Sequence, residues 1–504
     1  MGLISLLFVL LCTAPAQEEA VVATVGRFSI TGRDLVDSYE FGPAFVKRYP
    51  NPLRKHLEYM IYERLLALEA ERLGYDTSAF VRERVTALEE DLTVDELYKD
   101  EILAQVKLTD SEIEEAVQKE RMNLRLRWLY SPDNEGARRL EEELKKGISF
   151  DSLYSRTGGS NADRSLETTL LRLERDTPEL ATSIAHLKVM QVSSPIEGPD
   201  GYYLVRIDRV WQNPVMSETD YSRLRDDAIR ILRVSRADQL AADYVRARME
   251  AANPVIKAEG FNIIRAYIAD KGLSKDKRVQ WDIPSTFMTE AGPLPIKASG
   301  EYLSRPLVVF GNSMLTVRDY TVWFDIRQFQ LKTHSVEVFN SSIKRSIWKI
   351  VQDKLLSWEA YTKALNHQNE VKRETGKWYA KLFYLVGRSH VLRNIIISED
   401  SLKQEYDRTK KHARDNSGKP LSFAQVRDQL WEARYYAEEH LILSQTLRRL
   451  KEAYPVRVDE AVVSRLAAGM RREQNPIDVI FYKPGGTFPR VAFPTIDESW
   501  QRFP

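Results

Sequence analysis

The sequence predicts an α+β chain in which a mainly helical module is present twice, with one small α/β domain inserted in the first copy. Three observations lead to this prediction. The same order of strand, turn, capped helix and long amphipathic helix recurs in both halves. A stretch in which polar and apolar residues alternate interrupts only the first half. The length of 504 residues also exceeds what one ordinary core accommodates.

The first copy opens with "ATVGRFSITGRDLVDSY" (23–39), which predicts a short strand, a turn at Gly26-Arg27 and then a helix. Thr31 is a favourable N-cap, and Asp34 three residues later can return a hydrogen bond to it. Apolar residues at helical spacing then predict a helix over 51–74, and another helix is predicted over 78–106.

The second half repeats this opening in "VVFGNSMLTVRDYTVWF" (308–324), with Thr316 as the N-cap and Asp319 three residues later. Later segments match in the same order: 59–76 with 348–366, 106–120 with 395–408, and 244–260 with 447–461. Several matches in one order indicate a duplicated module.

The copies differ at one place. Between its capping-box helix, which begins after Thr109, and its closing helix, copy one carries about ninety extra residues, whereas copy two has only a polar loop over 409–420. The predicted boundaries are a first module at 17–120 plus 213–270, an inserted domain at 121–212, a second module at 280–468 and an extended C-terminal tail at 469–504.

The insert has strand and helix patterns of its own. An alternating strand is predicted at 123–130 and two strands flank the turn "GPDG" (198–201). Between them lie predicted helices at 134–147, 149–158 and 178–191, the last with proline at its first position. The predicted order is therefore β-α-α-α-β-β.

Two segments of the insert, "GISFDSLYSR" and "LKVMQVSSPIEGPDGYYLVRIDRV", resemble the parvulin domain of peptidyl-prolyl cis-trans isomerases, also called rotamases or PpiC-type domains. The flanking helices resemble the N-terminal chaperone module of the SurA, PrsA and PpiD-like periplasmic foldases, in which a parvulin domain is likewise inserted between helices. The resemblance implies isomerase activity, unfolded protein partners and a role in protein folding and outer membrane protein assembly.

The chain departs from the parvulin pattern at its site. The family's two histidine positions hold Trp128 and Tyr203, its mid-domain Cys or Asp falls near Ser160, and its apolar proline-pocket position aligns with Leu180. The family's glycine turn has become "RSLETTLLRL" (164–173). Catalysis of prolyl isomerisation depends on placed hydrogen bonds, so these changes predict a weak or inactive isomerase and no confident catalytic residue.

The first sixteen residues, "MGLISLLFVLLCTAPA", predict a signal peptide and a periplasmic location. Cys12, the only cysteine, could alternatively carry a lipid anchor. No later stretch is apolar enough to span a membrane. Lys and Arg total 74 against 73 Asp and Glu, so no charge excess favours a nucleic acid partner. No nucleotide motif, cofactor motif or metal-ligand spacing is present.

Aromatic residues concentrate in the second copy, including Trp323, Trp348, Trp358, Phe383 and Tyr384. They are explained either as core residues or as an apolar cradle for unfolded chains. The leading prediction is an exported SurA-like chaperone for unfolded envelope or secreted proteins. The alternatives are an active isomerase with a remodelled proline pocket and a structural subunit of envelope assembly.

Overall fold

A computed structural model describes most of the chain. The described residues are 19–157, 164–198, 200–214, 217–284, 286–289, 292–295, 300–311, 313–327, 329–410, 419–470 and 494–503. The predicted signal peptide, with Cys12, and Ser160 lie outside the described residues.

The elements are named in chain order. The strands are β1 Val21–Val25, β2 Phe28–Thr31, β3 Met122–Ser131, β4 Ser165–Thr169, β5 Ile196–Gly198, β6 Gly201–Gln212, β7 Val255–Ile256, β8 Thr286–Thr289, β9 Gly292–Pro295, β10 Pro306–Phe310, β11 Ser313–Thr316 and β12 Val456–Val458. The helices are α1 Gly32–Glu40, α2 Pro52–Arg72, α3 Ala79–Glu101, α4 Asp110–Arg121, α5 Asn134–Lys145, α6 Phe150–Thr157, α7 Leu170–Asp176, α8 Pro178–Ile184, α9 Glu218–Ala252, α10 Ala258–Gly272, α11 Lys275–Gln280, α12 Gly300–Leu303, α13 Val317–Arg327, α14 Val336–Thr362, α15 Asn369–Leu392, α16 Glu399–Thr409, α17 Phe423–Ala453 and α18 Glu460–Met470. Short 3₁₀ turns occupy Ala44–Arg48, Tyr75–Thr77, Leu103–Gln105, Leu365–His367 and Glu498–Arg502.

The predicted α+β class, mainly helical with small sheets, is confirmed. Backbone contacts divide the chain into two compact units, a smaller one at 98–248 and a larger one formed by the residues before and after it. The smaller unit is longer than the predicted insert because it includes α4 and most of α9. None of the helices in the described ranges has both the length and the apolar character needed to cross a membrane.

The larger unit contains two three-stranded antiparallel sheets of the same design. In one, β1 lies between β2 and β12, and in the other, β10 lies between β11 and β7. The first sheet thus combines the N-terminal hairpin with a short strand from the C-terminal half, whereas β7 precedes the hairpin of β10 and β11 within the second half of the sequence.

The two hairpins also agree in detail. In the first, the register shifts between Val21 and Ala23, and in the second, between Pro306 and Val308. Both turns begin with a glycine at a positive φ, 56° at Gly26 and 55° at Gly311, a conformation that other residues adopt only under strain. Sequence patterning predicted both glycine turns but not the strands that complete the two sheets.

The predicted capping boxes are present. Thr31 and Asp34 exchange hydrogen bonds at the start of α1, Thr109 and Glu112 do so at α4, and Thr316 and Asp319 do so at α13. These local bonds fix where each helix begins because they satisfy N–H groups that lack partners within the helix.

The helices of the larger unit surround two apolar cores. One core joins α2 with α15 and α17 and with the sheet that contains β1, and the other joins α10, α13 and α14 with the sheet that contains β10. The first core therefore also combines the N-terminal half, which supplies α2, with the C-terminal half, which supplies α15 and α17.

The aromatic residues of the second half are in part core residues. Trp323, Phe383 and Tyr384 are buried, whereas Trp348 and Trp358 remain 39% and 37% exposed. Of the predicted extended tail, 471–493 lies outside the described residues. Residues 494–503 contain the 3₁₀ turn and bury Trp500 in the first core.

His56 is a buried histidine within α2. Its Nε2 lies 2.8 Å from the hydroxyl of Ser38, and its side chain is fully buried. Burial, assisted by the positive charges of Lys381 and Lys47, lowers the pKa of His56 from 6.5 to about 3. The imidazole is therefore neutral in the folded chain at neutral pH.

This lowered pKa predicts acid sensitivity of the larger unit. The folded state binds a proton less readily than the unfolded state, so the contribution of His56 to stability is constant above pH 6.5. It is lost as pH falls from 6.5 toward 3, at about 1.4 kcal/mol per pH unit. Between pH 7 and pH 4.5, the free energy of unfolding measured by chemical denaturation should fall by about 2.5 kcal/mol more in the wild-type chain than in His56→Gln. Equal losses in both chains would contradict the lowered pKa.

The smaller unit has a four-stranded antiparallel sheet in the order β4-β3-β6-β5. Helices α5 and α6 pack with one face of the sheet, and α7 and α8 pack with the other. On the outer side of α7, Leu171 joins Ala116 and Val117 of α4 and Ala228 and Ile231 of α9. This third cluster explains why the two flanking helices belong to the smaller unit.

The predicted order of the insert is corrected at two points. It missed β4 and α7, so the observed order is β-α-α-β-α-α-β-β. Its last helix ends at Ile184 instead of near Gln191. The backbone beyond Ile184 turns twice and Met190 adopts a φ of 70°, which a continuing helix cannot accommodate. The helix predicted over 78–106 likewise ends at Glu101, followed by a 3₁₀ turn.

Candidate functional site

The candidate site lies on one face of the sheet in the smaller unit. On β3, Trp128 pairs with Val205 of β6, and Tyr130 pairs with Tyr203. Successive residues of a strand point to opposite faces, so every second residue of β3 and its partners on β6 face the same side. This places Trp128, Tyr130 and Tyr203 on a common face.

Three of the four predicted site residues come together there. Trp128, Leu180 and Tyr203 are half-buried, and all three pack against one apolar cluster. The cluster consists of Leu124, Leu126, Leu173, Ala181, Ile184, Val205 and Ile207. Helix α8 brings Leu180 to this face because Ala181 and Ile184 of the same helix are buried in the cluster. An apolar surface of this kind suits a proline ring.

The hydroxyl of Tyr203 is held by the turn between β5 and β6. It donates a hydrogen bond to the carboxylate of Asp200, while the hydroxyl of Tyr130 donates to the backbone oxygen of Asp200 at 2.7 Å. The two tyrosine rings lie 5.4 Å apart. Burial and the hydrogen bond to Asp200 raise the pKa of Tyr203 to about 12, so the phenol stays protonated at neutral pH. Its proton is thus directed toward Asp200.

The opposite face of the sheet carries a charged network. The guanidinium of Arg206, which is 3% exposed, contacts Asp208 at 2.5 Å and Asp151 at 3.1 Å. Arg127 also binds both carboxylates. The hydrogen bond from Arg206 lowers the pKa of Asp151. These charges are paired with one another, and they lie across the sheet from Trp128 and Tyr203.

Sequence reasoning missed Asp200 and Tyr130 as partners of the site. The available signal was the turn "GPDG" directly before two tyrosines, since a polar turn residue beside a strand start is within reach of the strand's side chains. Among the described residues, no group of three or more His, Cys, Asp or Glu side chains is arranged to hold a metal ion.

Comparison with protein families gives a match within the smaller unit. Residues 105–217 match the family described as the PPIC-type PPIASE domain. This range includes α4 and all the strands of the four-stranded sheet. The predicted recognition of a parvulin-type domain is confirmed. No curated protein matches the chain.

Solved structures of PrsA proteins also show local likeness. A peptidylprolyl isomerase (PrsA) from Bacillus anthracis is 17% identical over 25% of this chain, and the match spans 63% of that protein, with a TM-score of 0.19. PrsA from Bacillus cereus is 14% identical over 45% of this chain and 92% of its own, with a TM-score of 0.21. The foldase protein PrsA from Streptococcus pneumoniae is 13% identical over 47% of this chain and 95% of its own, with a TM-score of 0.22.

Proposed function

We propose that this chain, which carries a PPIC-type PPIase domain, is an exported chaperone that holds unfolded envelope or secreted polypeptides and catalyses little or no prolyl isomerisation. The observation that carries the proposal is a parvulin-type domain whose two family histidine positions are Trp128 and Tyr203. The apolar first sixteen residues support export to the periplasm.

The geometry of Tyr203 supports weak isomerisation. Rotation about an X–Pro bond passes through a twisted amide, and an enzyme accelerates it only through interactions that are stronger in that state. The phenol hydroxyl already donates to Asp200 on its own turn, and Trp128 packs against the apolar cluster. The family's two histidines take part in a network of hydrogen bonds. The indole of Trp128 and the phenol of Tyr203, whose hydroxyl is already bound to Asp200, cannot replace that network well.

One observation favours the rival function, an isomerase with a remodelled pocket. Trp128, Leu180 and Tyr203 share one apolar surface, as a pocket for a proline ring requires. Ser160, the fourth predicted residue, lies outside the described residues. Activity in this case would depend on the shape of that surface, and Trp128 would be its largest contributor.

An isomerisation assay separates the two functions. We expect the purified chain to accelerate cis–trans isomerisation of a proline peptide by less than about two-fold over background, while an active parvulin assayed in parallel accelerates it strongly. Trp128→Ala and Tyr203→Phe should then leave the rate unchanged. Turnover above background that falls in both variants would establish the rival function.

Aggregation suppression tests the chaperone proposal. The amide of Asn213 donates to the carbonyl of Arg121 at 3.3 Å, so residues 122–212 can be excised and these two ends joined. We expect the intact chain and the excised chain to suppress aggregation of a chemically unfolded client equally. The matched control is Leu171→Ala in the full chain, because excision also removes Leu171 from its contacts with α4 and α9. Absence of suppression by the intact chain would overturn the proposal.

The proposal also includes a duplicated frame, with a first module at 17–120 plus 213–270 and a second at 280–468. It is supported by the equal sheet orders, by register shifts at corresponding positions of the two hairpins and by the corresponding caps at Thr31 and Thr316. Two copies that exchange strands would give one frame with two related sets of helices, which is suited to holding a long client at more than one point.

A further inference from the structure

The C-terminal segment of the chain, residues 494–503, lies in a groove of the larger unit. We call this groove the aromatic groove. Its lining residues are Tyr59, Tyr62 and Glu63 of α2, Lys381 and Tyr384 of α15, and His440 of α17. We propose that the aromatic groove is a binding site for client segments that form a single 3₁₀ turn and carry two aromatic side chains three positions apart, and that the C-terminal segment occupies it within the same chain. This inference rests on the proposed chaperone function.

Two aromatic side chains of the segment fill the groove. The indole of Trp500 stacks between Tyr59, at a ring distance of 5.5 Å, and Tyr384, at 6.1 Å. Phe503 contacts Tyr62 at 5.9 Å and His440 at 4.9 Å. Stacked and edge-on aromatic contacts of this kind add to the gain from burial and favour aromatic ligands over aliphatic ones.

The spacing of the two side chains follows from the local backbone. Residues 498–502 form a 3₁₀ turn, which has three residues per turn. Side chains three positions apart therefore emerge on the same side, and Trp500 and Phe503 point into one groove. A ligand with aromatic side chains two positions apart would present only one of them in this conformation.

The polar residues of the groove form hydrogen bonds with the ligand backbone and with the indole. Glu63 accepts hydrogen bonds from the amide of Asp497 at 2.8 Å and from the indole Nε1 of Trp500 at 3.1 Å. The hydroxyl of Tyr59 donates to the carbonyl of Phe503 at 2.7 Å. Contacts to backbone atoms do not depend on sequence, while the stacked rings select the side chains.

Glu63 keeps a partner that does not belong to the segment. Its two oxygens accept from Nζ of Lys381 at 2.8 and 2.9 Å, and both side chains are supplied by the groove itself. When the C-terminal segment leaves, the carboxylate stays paired and gains access to water. Release of the segment therefore leaves no buried charge without a partner. A reversible binding site requires this, because an unpaired buried charge would be costly.

The test uses the chain ended at Phe493 and a fluorescent peptide of residues 494–504. We expect the peptide to bind the shortened chain with at least about ten-fold higher affinity than it binds the full chain, where its counterpart competes. A matched control peptide exchanges Trp500 and Gln501, which keeps the composition and changes the aromatic spacing from three to two. It should bind at least about ten-fold more weakly. Equal binding of the two peptides, equal binding to both chains, or no binding would each overturn the proposal.

Hydrogen exchange on the intact wild-type chain tests whether the C-terminal segment leaves the groove, even if the shortened chain does not fold. If the segment is a replaceable ligand, the amides of Asp497 and Trp500 exchange at least about a hundred-fold faster than the central amides of α2. Equal rates would mean that the segment is released only on unfolding, and the proposal would be wrong.

A chain that binds the peptide but suppresses no client aggregation would contradict the proposed function alone. Suppression of aggregation without peptide binding would contradict this inference alone.

Discussion

Replacing Lys381 with methionine is expected to lower the free energy of unfolding of the larger unit by about 3–5 kcal/mol, the cost of leaving one charge of a buried pair without its partner. Lys381 is 9% exposed and Glu63 is 3% exposed. In the variant, Glu63 would keep only the two hydrogen bonds that it accepts from the C-terminal segment. Chemical denaturation followed by circular dichroism measures the loss.

Two further variants make this result specific. Lys410→Met removes one partner of the exposed pair with Asp407 and should leave the free energy of unfolding unchanged within the error of the measurement. The double variant Glu63→Gln with Lys381→Met removes both charges and should recover most of the loss. If the free energy of unfolding of Lys381→Met lay within about 1 kcal/mol of the wild-type value, water would have to reach the pair of Glu63 and Lys381.

This buried pair also shows where sequence reasoning reaches its limit. Glu63 lies on a long helix that the periodicity predicts, and Lys381 lies on α15. The pattern of one helix, however, contains no information about which distant helix it meets. The same limit applies to Trp500, which lies in a proline-rich tail without periodicity and is nonetheless almost completely buried. Its indole stacks on rings contributed by α2 and α15, in addition to its contact with Phe503 of the same segment.

The local signals were reliable for a different reason. Thr31, Thr109 and Thr316 each satisfy free amides three residues away, so the sequence contains both partners of the interaction. Strand β4 was missed because "SLETT" has no strong alternation and forms by pairing with β3. At the candidate site, alignment with the parvulin pattern placed Trp128, Leu180 and Tyr203 on one surface, but the hydrogen bond to Asp200 depends on the turn geometry.

The pairing of β1 with β12 has a consequence for the helices. The N-terminal hairpin receives its third strand from the C-terminal half, so the two halves of the sequence are brought together in the larger unit. Helices α2 and α15 then meet across the two halves, and their separation is set by the residues at the crossing. Gly387 of α15 is one of these residues, since an added Cβ would lie 2.3 Å from the carbonyl oxygen of Leu66 and 3.3 Å from Cβ of Ala70.

Gly387→Ala should therefore lower the free energy of unfolding by about 3 kcal/mol, at the upper end of overpacking costs, because a helix backbone cannot move aside as a side chain can. Gly376→Ala on the same helix is the matched control. Nothing lies within 4 Å of the Cβ added there, and alanine favours the helix, so this change should raise the free energy of unfolding by about 0.5–1 kcal/mol. The two substitutions are identical and lie on one helix. Opposite changes in the free energy of unfolding can therefore arise only from the different surroundings of the two glycines. If both variants were stabilised, α2 and α15 would not meet at Gly387, and the packing of the two halves into a shared core would be wrong.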